Sequence, residues 1–147
     1  MAAVRRPPDG VHTSLVQSYE QSWPARPEHV GAARRAAFAA AKRAGADPPV
    51  LDAVRLAVSE AVSNVVVHGY REAGPGRFTV TVQAHLDELM VIVRDDGCGM
   101  QPRTDSPGAG LGLPLIAQLS QSVSLTAPPG GGTELCMTFP LGAYATA

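Results

Sequence analysis

The stretch from Pro48 to Gly69, PPVLDAVRLAVSEAVSNVVVHG, constrains this chain more than any other. Asp47-Pro48-Pro49 opens it as a helix start does, and Gly69 is a natural stop. Between them Leu51, Val54, Val58, Ala61, Val62 and Val65 recur at three- and four-residue spacing, so a helix buries them as one stripe. Glu60, Asn64 and His68 stand at i, i+4 and i+8 and fall on a different side. Val65-Val66-Val67 is poor in helix propensity, so tertiary packing has to hold this helix. The fold must therefore seat a helix with a core-facing stripe and a separate polar row.

The flanking segments supply that core. Residues 1–12 contain Pro7, Pro8 and Gly10 and are expected to be a loose leader before a single domain over 13–147. Residues 13–21 predict a short strand with Leu15 and Tyr19 inward. Residues 27–44 predict a helix, with Pro27 in its first turn and Val30, Ala33, Ala37, Phe38 and Ala41 as its apolar stripe. Arg34, Arg35, Lys42 and Arg43 then form its solvated side. After the turn at Gly74-Pro75-Gly76, residues 78–86 place Phe78, Val80, Val82 and Ala84 on one face. Residues 89–95 follow after Asp87-Glu88 and complete an antiparallel hairpin that delivers Asp95 at its end.

Residues 96–110 are a long segment rich in Gly, Pro and polar side chains, a pattern that points to function in a compact domain. Residues 111–120 predict a short helix with Leu111, Leu115, Ile116 and Leu119 inward. Residues 122–127 and 133–141 form a last hairpin across a Pro-Gly turn. This order predicts an α/β (α+β) two-layer sandwich: a mixed, mostly antiparallel sheet with helices on one face.

Several function classes drop out. The 147 residues suit one core, and a net charge of −1 gives no electrostatic footprint for nucleic acid. Cys98 and Cys136 lie far apart, with neither the spacing of a zinc site nor a disulfide framework. No run of about 18 apolar residues is present, so no transmembrane helix is expected. The expectation is a cytoplasmic protein without membrane or direct nucleic-acid contact.

Three patterns carry chemistry. Glu60 and Asn64 stand one helical turn apart. Asn offers a neutral oxygen to a hard cation such as Mg²⁺, and Glu can orient or deprotonate a hydroxyl. Asp95-x-Gly97-x-Gly99 ends a strand, where a carboxylate can accept from an exocyclic amine such as that of adenine and glycines let a flat ligand approach. Gly108-x-Gly110-x-Gly112 opens a helix, where backbone N–H groups bind phosphate. No βαβ unit surrounds the last cluster and no Gly-Lys-Ser/Thr follows it, so it is neither a Rossmann fingerprint nor a P-loop. Singly, each pattern also suits a plain structural role: a solvated helix face, an acidic turn, a glycine-rich loop. Their order and their placement on these elements carry the signal.

In that order they resemble the GHKL ATP-binding family, the Bergerat fold of histidine kinases, gyrase and MutL. Glu60 and Asn64 match its N box, Asp95, Gly97 and Gly99 its G1 box, and Gly108, Gly110 and Gly112 its G2 box. Gly132-Thr133 resembles a further G-x-T feature, and the likeness spans about residues 13–141. SEAVSNVVVHGY is similar to the N box of the anti-sigma-factor serine/threonine kinases of the RsbW and SpoIIAB type. The resemblance implies ATP and Mg²⁺ as cofactors, with Asn64 on the metal and Glu60 as base towards an acceptor serine. It implies Asp95 on adenine, residues 100–109 as a lid, and Gly97, Gly99, Gly108, Gly110, Leu111, Gly112 and Thr133 around the nucleotide. His68 has two readings, a contact to the phosphates or a helix-end histidine near the dipole. Arg94 is read as lying on an exposed strand face, Cys98 as a tolerated small residue, and Arg103 as a lid side chain.

The implied partners are a STAS-domain anti-anti-sigma protein as substrate and an RNA polymerase sigma factor, with the kinase a homodimer. An ATP-dependent binding regulator without kinase output is the alternative from another class. A histidine-kinase-like catalytic domain acting in trans and a gyrase-type ATPase are further readings.

Overall fold

A computed structural model of the protein describes residues 15–68, 76–97 and 112–142, with His68 described by its backbone alone. The chain runs β1 (Gln17–Pro24), a 3-10 turn (Pro27–His29), α1 (Val30–Arg43), α2 (Pro48–His68), β2 (Arg77–Ala84), β3 (Glu88–Asp95), α3 (Leu113–Leu119), β4 (Ser122–Thr126) and β5 (Thr133–Pro140). The strands form one sheet in the order β1-β2-β3-β5-β4. Every pairing among the described strands is antiparallel, where the sequence allowed a mixed, mostly antiparallel sheet.

Alternation decides the faces. Phe78, Val80, Val82 and Ala84 of β2 point to one side, joined across the register by Leu89, Val91 and Val93 of β3 and by Leu135, Met137 and Phe139 of β5. All ten are buried and belong to one core with the helices. The opposite face carries Thr79, Thr81, Ser122 and Ser124, with Arg94 exposed as expected.

The helices cover the apolar face. α2 lies against β3, β5, α1 and α3, and its whole predicted stripe is buried. α1 meets α2 and β2 through Ala33, Ala37, Ala40 and Ala41, small residues that let the helix axis come close. Its first turn is the 3-10 segment rather than α-helix, with Pro27 at the start.

Two apolar side chains sit differently from expectation. Leu15 is 52% exposed, because β1 begins at Gln17 opposite Ala84, the last residue of β2, and Leu15 lies beyond that edge. The anchor of β1 is instead Trp23, buried and stacked on Phe78 with ring centroids 5.6 Å apart. Tyr19, expected inward, does pack against the core. Leu115 is 39% exposed, because Ile116 takes the one fully buried position of the seven-residue helix. Leu113 and Leu119, three residues either side of Ile116, pack with it, and Leu115 is turned away by about 100°.

Candidate functional site

The end of β3 is the best-defined part of the site. Asp95 closes the strand on the inner face, paired with Phe78 of β2 on one side and Thr133 of β5 on the other. It is 3% exposed. A buried carboxylate is costly unless hydrogen bonds hold it. The backbone N–H of Gly97 donates to Asp95 Oδ1 at 2.9 Å, a turn in which the side chain caps its own loop. Gly97 thus orients the carboxylate. The next residue ties the turn to the sheet: Asp96 Oδ1 accepts from the N–H of Arg77 at 3.0 Å.

Gly132 closes the turn from above. Its φ is +84°, a conformation L side chains rarely adopt. A Cβ placed there would overlap the Asp95 carbonyl oxygen and come within 3.1 Å of the carbonyl carbon and 3.2 Å of Asp96 Cα. Thr133 follows directly and is itself buried. The Gly132-Thr133 pair therefore packs its backbone on the residue expected to read adenine.

The second part of the site lies on α2. Asn64 is 8% exposed, so it is no solvated helix face. Glu60, one turn earlier, is half-buried. Its side chain runs along Gly112, the residue that precedes α3: a Cβ at Gly112 would lie 2.5 Å from Glu60 Oε2. The start of α3 is thereby brought against the polar row of α2.

The structure thus joins Glu60 to Gly112, and Asp95 to Gly97, Gly132 and Thr133. His68 is the last residue of α2, and its side chain lies outside the described residues. Gly99, Gly108, Gly110 and Leu111 also lie outside them, as do Cys98 and Arg103. Asp96 carried no decisive sequence signal, and Gly132 carried only the resemblance of Gly132-Thr133 to a G-x-T feature. Asp96 looks like one half of an acidic turn, and its bond to Arg77 joins segments nineteen positions apart. Gly132 is one of three consecutive glycines, and only the fold reveals which of them meets Asp95.

An antiparallel sheet covered by helices on one face, with a capped strand-end aspartate and an E-x-x-x-N helix facing a glycine-led helix, defines a Bergerat-type nucleotide-binding domain. The profile of the histidine kinase-like ATPase domain family matches residues 23–139, and the chain belongs to that family. A serine-protein kinase RsbW from Bacillus velezensis is 32% identical over 141 residues, covering 86% of this chain and 87% of that one. An RsbW from Listeria innocua is 32% identical over 117 residues, covering 69% and 74%. An anti-sigma F factor from Clostridium acetobutylicum is 32% identical over 98 residues, covering 59% and 68%. Among solved structures, that of the RsbU and RsbW domains of a Mycobacterium tuberculosis protein superposes with a TM-score of 0.66 at 21% identity. That match covers 84% of this chain and 32% of the longer one, and it bears out the fold. The resemblance to anti-sigma-factor kinases seen in the sequence is borne out by the RsbW and anti-sigma relatives. No helix among the described residues is long and apolar enough to cross a membrane.

Proposed function

We propose that this chain is an ATP-dependent serine/threonine kinase that phosphorylates a serine of a STAS-domain anti-anti-sigma protein and binds an RNA polymerase sigma factor when that partner is phosphorylated. The RsbW relatives are named serine-protein kinases, and one further relative is named an anti-sigma factor. The observation that carries the reading is Glu60, half-buried on α2, one turn from the buried Asn64 and lying against the backbone of Gly112.

The residues present fit ATP and Mg²⁺. Asp95, buried and oriented by the Gly97 N–H, is suited to accept from the amine of adenine. Asn64 offers Mg²⁺ a neutral oxygen. Among the described residues no cluster of three or more His, Cys, Asp or Glu side chains is gathered, so water and phosphate oxygens would complete its shell. ATP supplies the phosphoryl group, and Mg²⁺ neutralises charge on its phosphates. Glu60 would accept the serine proton as the serine oxygen bonds to the γ-phosphorus and the bond to the ADP oxygen breaks. His68, Gly97, Gly99, Gly108, Gly110, Leu111 and Thr133 remain assigned to the nucleotide by the family resemblance; Gly112, grouped with them by that resemblance, lies against Glu60.

The test is labelled ATP with Mg²⁺ and a panel of purified STAS-domain proteins. Phosphoserine on one of them is expected, and that unphosphorylated protein should displace a captured sigma factor. Tight ATP binding with no labelled partner would replace the kinase by a nucleotide-dependent binding regulator. Asp95→Asn is expected to raise the Kd for ATP by about 10- to 100-fold, the value of a charge-assisted hydrogen bond. Unchanged affinity in calorimetry would remove Asp95 from the adenine site.

A further inference from the structure

We propose that Gly112 is a positioning residue for Glu60: the missing side chain at the start of α3 leaves the space that the glutamate occupies, and so sets where its carboxylate sits. The proposal rests on the reading of Glu60 as the group that accepts the serine proton.

A Cβ at Gly112 would meet not one atom of Glu60 but the length of it: Oε2 at 2.5 Å, Cβ at 3.3 Å and Cδ at 3.3 Å. The glutamate is thus laid along a backbone wall, which removes rotamers that a half-exposed glutamate would otherwise sample. The wall is fixed from behind. The Gly112 carbonyl accepts from the N–H of Ile116 at 2.8 Å, and Ile116 is fully buried in the core. The other side is fixed as well, because Ala57, Val58 and Ala61 seat α2 around Glu60 with no exposure. With both backbones held, a Cβ at Gly112 is accommodated by displacing the Glu60 carboxylate, the flexible end of that side chain.

Gly112 has a second reason to be glycine, its φ of +62°. The two reasons separate by experiment. Backbone strain is the same whatever stands at position 60, whereas the steric demand exists only while Glu60 is there. This role also differs from the phosphate wrapping implied for the glycines of this loop. A phosphate contact acts on nucleotide affinity; the placing of a base acts on turnover.

The test uses Gly112→Ala, Glu60→Ala and the double variant, with ATP binding, phosphate transfer to the acceptor found in the STAS-domain panel, and urea denaturation as readouts. Gly112→Ala is expected to lower kcat by about 100-fold, the scale of a 1 Å misplacement, with the Kd for ATP within about threefold of the parent. In the Glu60→Ala background the same change should cost no further turnover, and it should lower the urea midpoint less than it does with Glu60 present. Asn adopts positive φ more readily than Ala, so Gly112→Asn relieves backbone strain while keeping the Cβ against Glu60. It should show the same loss of kcat and serves if Gly112→Ala does not fold.

A rise in Kd that matches the fall in kcat would return Gly112 to the phosphates and overturn the proposal. Equal falls in urea midpoint in both backgrounds would reduce the glycine to its φ and do the same. If the parent protein labels no acceptor, the kinase reading fails, and the urea comparison alone then decides whether Gly112 makes room for Glu60.

Discussion

Replacing Glu60 by alanine is expected to slow phosphate transfer by about 10²- to 10⁴-fold, the usual contribution of a positioned general base. The Kd for ATP should stay within a few-fold of the parent, because the residues assigned to adenine and metal, Asp95 and Asn64, are elsewhere. The change should be mild for the fold. Glu60 is half-buried, makes no salt bridge among those described, and alanine favours the helix that carries it. Removal of its side chain also empties the space beside Gly112 rather than filling it. Single-turnover labelling with bound ATP separates binding from chemistry. A variant that binds ATP and transfers phosphate at the parental rate would strip Glu60 of its role as base.

Expectation and structure agree most closely where a segment both repeats with one period and ends on clear punctuation. α2 is such a segment, between Pro48-Pro49 and Gly69, and so is β2, whose alternation places Phe78, Val80, Val82 and Ala84 correctly in the core. The disagreements arise at a strand boundary and where two apolar residues compete for one place. The strand expected over 13–21 includes Leu15 and stops short of Trp23; the observed strand is Gln17–Pro24, anchored by Trp23 because Phe78 stands opposite it. In α3, Leu115 and Ile116 are neighbours on a short helix, and only the direction of the core selects Ile116. The site follows the same logic. Spacing puts Glu60 and Asn64 on one face, yet the burial of Asn64 depends on what covers α2, which no periodicity within α2 encodes. The contacts of Gly112 and Gly132 are backbone contacts between segments far apart in sequence, so a glycine count cannot find them.

Gly132→Ala is expected to destabilise the fold by about 2–6 kcal/mol, the sum of a strained φ at about 1–3 and overpacking at about 1–3. Its two neighbours supply the control. Gly130 and Gly131 also have positive φ, at +98° and +101°, but a Cβ on either would meet nothing within 4 Å. Gly130→Ala and Gly131→Ala should therefore carry the backbone cost alone, about 1–3 kcal/mol. The difference from Gly132→Ala isolates the contact with the Asp95 carbonyl. That contact cannot relax by a rotamer change, because the atoms in the way are backbone, held by the β3–β5 pairing of Asp95 with Thr133. The strand end has to move, and with it the turn in which Gly97 holds the Asp95 carboxylate. Folded Gly132→Ala protein should therefore bind ATP as weakly as Asp95→Asn, while both control variants keep parental affinity. Urea denaturation of the three variants with ATP titration of each is the measurement. Equal midpoints in all three would show that Gly132 is glycine for its dihedral angle alone and bears no relation to Asp95.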